Sequence, residues 1–264
     1  MEIALFFLAT VVAAAINALA GGGGLITFSL LLLVMHPVAA DATSAIALIT
    51  GYPGAVWRTR HELTEAIRTK WLWLLVIPSV LGGLTGALLL SWAGDRDLLE
   101  LVPWLILGGT LLILLRPILT KHGNSSGVQP DLERRTWPIA LVGMFVVALY
   151  GGYFGAGIGI LVISALGYMG LGDIRRAVAV KNLLTAFMRT TAVLVLIFEG
   201  AVNWSIGLPM AVGGLIGGYL GGAFAGRADR ATVRKIIIGV GLAVAAYYFW
   251  RIYGPPELHF GGGD

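Results

Sequence analysis

The chain has no cysteine among its 264 residues, and only 12% of them are charged. The first absence removes disulfides, thiol redox chemistry and cysteine metal sites. The second removes a water-facing globular surface, because soluble domains carry about 25% charged residues. Metal chemistry has little to stand on, since His36, His61, His122 and His259 are scattered without ligand spacing. Paired carboxylates, a nucleophile elbow and a phosphate loop ending in Gly-Lys-Ser/Thr are all missing. Basic patches interleaved with aromatics are missing too. These absences speak against an enzyme, a cofactor and a nucleic-acid partner. The first residues, "MEIALFFLATVVAAAI", lack the basic segment of a cleavable signal peptide and are expected to remain as a membrane helix.

What is present is apolar length. Hydrophobic residues make up 58% of the chain, and the mean hydropathy is +0.87. A membrane helix needs ~20 apolar residues, and such runs occupy 38–57, 71–93, 98–116, 177–198, 204–225 and 236–252. Two longer runs, 3–34 and 137–169, are interrupted by glycine at Gly21–Gly24 and at "YGGYFGAGIG", residues 150–159. The expected class is an all-α polytopic membrane protein. The polar stretch "KHGNSSGVQPDLERR" reads as a linker at 121–136 between a first transmembrane repeat (1–120) and a second (137–253). A flexible tail is expected at 254–264.

The two halves repeat. Trp73, Pro78, Gly82, Gly83, Leu84 and Gly86 recur as Trp204, Pro209, Gly213, Gly214, Leu215 and Gly217, every pair 131 positions apart. Upstream, "ATSAIALIT" (42–50) lies opposite "VKNLLTAFM" (180–188). Basic residues decide the topology, because Lys and Arg collect in cytoplasmic loops. If each glycine-broken run is one kinked crossing, the 18 Lys and Arg show no useful bias between sides. If each is a hairpin, 14 fall on one side, only Arg96 and Arg251 on the other, and Lys181 and Arg189 within a span. Each repeat is then a glycine-tipped helical hairpin, broken or re-entrant, plus three transmembrane helices. The odd count makes the repeats inverted, with both termini on the outer side of a cytoplasmic (inner) membrane.

Glycine permits the backbone to turn at φ > 0 and to expose N–H groups, and irregular backbone at membrane depth survives only inside protein or against a wet cavity. The tips at Gly21, Gly22, Gly23 and Gly24 and at Gly155, Gly157 and Gly159 therefore read as substrate-binding turns whose helix N-termini suit an anion. Close helix packing is the competing explanation. On the first reading, alanine at Gly22 or Gly23 should harm transport more than folding. A basic residue inside a span is by default a functional hypothesis. Lys181 and Arg189 are separated by about 80° around a helix, with Asn182 and Thr185 able to share their cavity. Snorkelling, pairing with an acid or capping a helix end are the alternatives. Thr43, Ser44, Asn17 and Thr27 are further polar candidates beside the tips, and Asp41 is a candidate coupling group or charge partner. Trp57, Trp71, Trp73, Trp92, Trp137, Trp204 and Trp250 are expected to anchor the membrane interfaces.

The motifs "AGGGGLI", "ADATSAIAL", "GGYFGAGIGI…AVAVKNLL" and "GGLIGGYLGG" resemble those of the sulfite exporter TauE/SafE family of membrane permeases, over about residues 3–253. The resemblance implies a secondary transporter that moves sulfite or an organosulfonate by alternating access. A permease for carboxylates or other small anions is an alternative on the same charges. An intramembrane enzyme or a structural scaffold is the alternative of another class. The partners expected are a small anion and the bilayer, with homo-oligomerisation left open.

Overall fold

The computed structural model describes residues 2–19, 21–121, 137–171, 173–224 and 230–253. Most of the expected linker and the whole of the expected tail lie outside these residues. The described residues are almost wholly helical, with no strand among them. The helices are α1 (Glu2–Leu19), α2 (Gly23–Leu31), α3 (Pro37–Ile49), α4 (Gly51–Arg58), α5 (Arg60–Ile67), α6 (Lys70–Lys121), α7 (Trp137–Tyr153), α8 (Ile158–Tyr168), α9 (Ile174–Phe198), α10 (Trp204–Phe224) and α11 (Arg230–Tyr253).

Local chemistry explains most of the boundaries. Pro37 opens α3 at a first-turn position, where its missing N–H costs nothing. The next N–H, that of Val38, is taken by Asp95 Oδ1 at 3.0 Å. Asp173 caps α9 by accepting the Arg175 N–H at 3.0 Å. Gly94, at φ 71° and ψ −176°, turns α6 between arms 70–93 and 95–121, which carry the runs read as separate spans. One expected span is not continuous. The run 38–57 divides at Thr50 into α3 and α4, because Pro53 has no N–H to return to Ile49. The short helix α5 had no counterpart in the apolar pattern, being mostly polar.

Two helical stretches, Lys70–Leu111 and Arg175–Phe198, are long and apolar enough to cross a bilayer. Large apolar side chains cover much of the outside, with Phe198, Ile139 and Trp92 each more than 70% exposed. So much contiguous apolar surface is stable only against lipid or partner protein. Of the tryptophans expected as anchors, Trp57, Trp73, Trp92, Trp204 and Trp250 are exposed, whereas Trp71 is 7% exposed and packs inside with Leu63, Leu72 and Met144.

The arms cross reciprocally. α1 packs along α10, and α7 packs along the first arm of α6. An added Cβ on Gly217 would strike the Val11 carbonyl, and one on Gly86 would strike that of Leu149. Small residues thus let backbones touch where no hydrophobic force separates helix from lipid.

Candidate functional site

Both glycine-broken runs are hairpins whose tips meet at the centre of the fold. In the first, α1 gives way to Gly21 at φ +85°, and α2 starts after Gly22. In the second, Gly155 and Gly157 take φ +71° and +77° before α8. These are conformations that L side chains rarely adopt. A Cβ on Gly21 would lie 2.5 Å from Gly159 Cα, and one on Gly159 would lie 2.6 Å from Gly21 Cα. The tips therefore touch backbone to backbone. Phe28 and Phe154 seal the contact from one side, edge to face at 5.0 Å. The N-termini of α2 and α8 converge here, and neither has a side-chain cap.

A helix that stops inside a membrane leaves C-terminal carbonyls without partners. Lys181 and Arg189, two of the buried cations of α9, attend to them. Lys181, 1% exposed, donates from Nζ to the carbonyls of Asn17 at 3.0 Å and Ala18 at 3.4 Å, at the end of α1. Its third partner is Asn182 Oδ1 at 2.6 Å, while Asn182 Nδ2 reaches the Ala18 carbonyl at 3.4 Å. Two turns along, Arg189 donates from Nη1 to the Gly151 carbonyl near the end of α7 at 2.7 Å. A Cβ on Gly155 would collide with that Nη1, so glycine here admits the guanidinium as well as the turn. Asp41 on α3 approaches Arg189 Nη2 at 4.0 Å, an ion pair beyond hydrogen-bond range.

The other expected residues divide. Asn17 donates from its side chain to the Tyr52 hydroxyl at 3.1 Å, tying the first tip to α4. Thr27 and Ser44 share a hydrogen bond at 2.6 Å between α2 and α3. Thr185 is buried on α9 between the cations, and its hydroxyl has no hydrogen-bond partner. Thr43 does not join them, because its hydroxyl accepts the Asn203 N–H ahead of α10 at 3.1 Å. Gly24 lies against Ala156 of the other tip, in ordinary contact. Gly23 does not fit the expectation that alanine spares folding, since a Cβ there would run into the Ala13 carbonyl. Sequence reasoning missed Tyr52 and Tyr150, whose hydroxyl holds the Ala156 carbonyl of the second tip at 2.9 Å. The available signal was Tyr150's position immediately before a glycine break, away from any interface.

Contacts also shift the match between the halves. Thr50 donates to the Ala211 carbonyl at 2.6 Å, and Thr191 to the Val80 carbonyl at 3.3 Å. Val80 and Ala211 are matched by the repeat spacing, so Thr50 answers Thr191. Asp41 then stands opposite Asn182, and Ser44 opposite Thr185. This differs by three residues, nearly one helical turn, from the pairing of 42–50 with 180–188.

The Arg189 guanidinium, the Lys181 ammonium and the N-termini of α2 and α8 thus come together at the tip junction. A family model described as sulfite exporter TauE/SafE matches residues 6–248. The chain belongs to the TauE/SafE family. Individual relatives agree in kind. The probable membrane transporter protein YfcA of Escherichia coli is 28% identical over 98% of this chain and 93% of its own length. A probable membrane transporter protein of Haemophilus influenzae is 26% identical over 98% and 97%, and one of a Sinorhizobium species 26% over 92% and 90%. No solved structure matches the chain. This TauE/SafE protein is a membrane transporter, and the buried cations of α9 lie where its two broken hairpins meet.

Proposed function

We propose that the protein is a multi-pass permease of the cytoplasmic membrane that carries small sulfur oxyanions, sulfite or an organosulfonate, through the junction of the two tips. The observation that carries this reading is the pairing of Arg189 and Lys181 with two uncapped helix N-termini at the tip junction. A guanidinium fork can take two of the three oxygens of a pyramidal sulfite or of a sulfonate bidentately. The sulfur preference itself rests on the family. The halves work as inverted repeats, a reading supported by the reciprocal packing of α1 on α10 and α7 on α6, and the 14-to-2 charge split supports both termini lying outside. Because Gly21 and Gly159 touch, the arrangement is closed at the centre, and passage requires one repeat to rock away from the other. An inside-negative potential favours anion export without a nucleotide.

Purified protein in liposomes loaded with labelled sulfite, sulfoacetate or a carboxylate of matched size decides the matter. Flux of either sulfur anion at least tenfold above the carboxylate is the expected result. Carboxylate flux equal to or above both would overturn the sulfur assignment, and absence of flux for all three would overturn the anion reading.

A further inference from the structure

We propose that Asp41 is a resident counter-anion, whose carboxylate occupies the Arg189 guanidinium in the empty transporter and is displaced by the arriving cargo. The inference rests on the anion reading above and gives it a release step. Lys181 and Arg189 are not equally committed. Lys181 meets three acceptors, as many as an ammonium has protons to donate. Arg189 has five N–H donors, of which one is engaged with Gly151 at 2.7 Å, and Nη2 faces Asp41 at 4.0 Å. Asp41 is 2% exposed, and its Oδ2 has no hydrogen-bond partner. An ion pair built for stability closes to hydrogen-bonding distance, as Arg176 and Glu65 do at 3.1 Å.

Thr185 supplies the second observation. Its hydroxyl lies one turn before Arg189 on the same helix, nine-tenths buried and without a hydrogen-bond partner. The under-used donors of α9 and the under-used acceptor of α3 thus cluster on one stretch of the site. An oxyanion with three oxygens would take the guanidinium and the Thr185 hydroxyl together, and a single carboxylate on α3 does not satisfy both. When cargo leaves, Asp41 returns to the guanidinium, so the cation never stands unpaired in a dry site, where it is costly. The other polar groups bordering this spot are Tyr150 from α7 and Tyr52 from α4, already engaged with Ala156 and Asn17.

The test is Asp41→Asn, which removes the charge and keeps the shape. Measured in liposomes with whichever sulfur anion the wild type carries, KM should fall about tenfold, equivalent to about 1.4 kcal/mol. kcat should fall several-fold because release loses its competitor. The variant should also gain more in melting temperature from added sulfite than the wild type does. If Asp41→Asn survives purification only with sulfite present, that too is the expected behaviour of an orphaned Arg189. Unchanged kinetics, a raised KM, or instability that sulfite does not relieve would overturn the proposal. A wild type that moves no anion sinks the function reading, whereas wild-type flux with an indifferent Asp41→Asn sinks only this inference.

Discussion

The two tips present the same physical problem and receive different solutions. At the end of α1 the carbonyls of Asn17 and Ala18 are held by Lys181, with Asn182 bracing the ammonium and the Gly21 N–H also donating to Asn17. At α7 the Gly151 carbonyl is held by Arg189, whose nearest acid stands off at 4.0 Å. Both cations come from one helix, so α9 serves as a common spine for two broken hairpins. On the proposed function, the difference separates structure from transport. A compact ammonium with three acceptors would act as a fastener, while a broad guanidinium with one firm bond would retain donors for a guest.

Mutations can break that distinction. The largest expected effect is on transport by Arg189→Gln, which should lower kcat/KM about a hundredfold, about 2.7 kcal/mol, while the protein still purifies as a folded species. Arg189→Lys should recover only part of it, because a point charge does not reproduce the fork. Lys181→Met should act first on stability. The Asn17 and Ala18 carbonyls keep the Gly21 N–H and Asn182 Nδ2, but Asn182 Oδ1 loses its ammonium donor, a cost of about 1–3 kcal/mol readable as a lower melting temperature in detergent. A larger loss of melting temperature in Arg189→Gln together with a larger loss of transport in Lys181→Met would reverse the assignment of roles. Thr185→Val is the smallest perturbation and removes one hydroxyl of low present value to the fold. It should leave melting unchanged and lower sulfite affinity about fivefold, about 1 kcal/mol, the net worth of one hydrogen bond. A Thr185→Val protein with wild-type affinity would remove the hydroxyl from the site.

Much of the architecture was readable because a bilayer makes few demands and makes them strictly. Runs of ~20 apolar residues are spans, so α9, α10 and both arms of α6 matched their sequence limits closely. Glycine clusters in over-long runs marked both hairpin tips, because no other residue takes φ of +85° or +77° there without strain. The division of 38–57 at Thr50 was missed because Pro53 is tolerated in membrane helices often enough to leave the outcome to packing. The three-residue shift between Asp41 and Asn182 was invisible for a related reason. Apolar helices of low complexity align almost equally well one turn apart, and only the Thr50 and Thr191 hydroxyls reveal which alignment the contacts choose.

By itself, the sequence determined that this chain is a helical membrane protein, where its two glycine-broken runs turn and which helix carries Lys181 and Arg189 within its apolar run. Those are consequences of composition and local backbone freedom, and they hold before any two segments meet. Only the tertiary structure decided what the cations do. Lys181 and Arg189 reach carbonyls 164 and 38 residues away in the chain, and Asp41 faces Arg189 only because α3 packs against α9. A charge buried at membrane depth takes its meaning from the groups around it, since low dielectric makes every unpaired partner expensive.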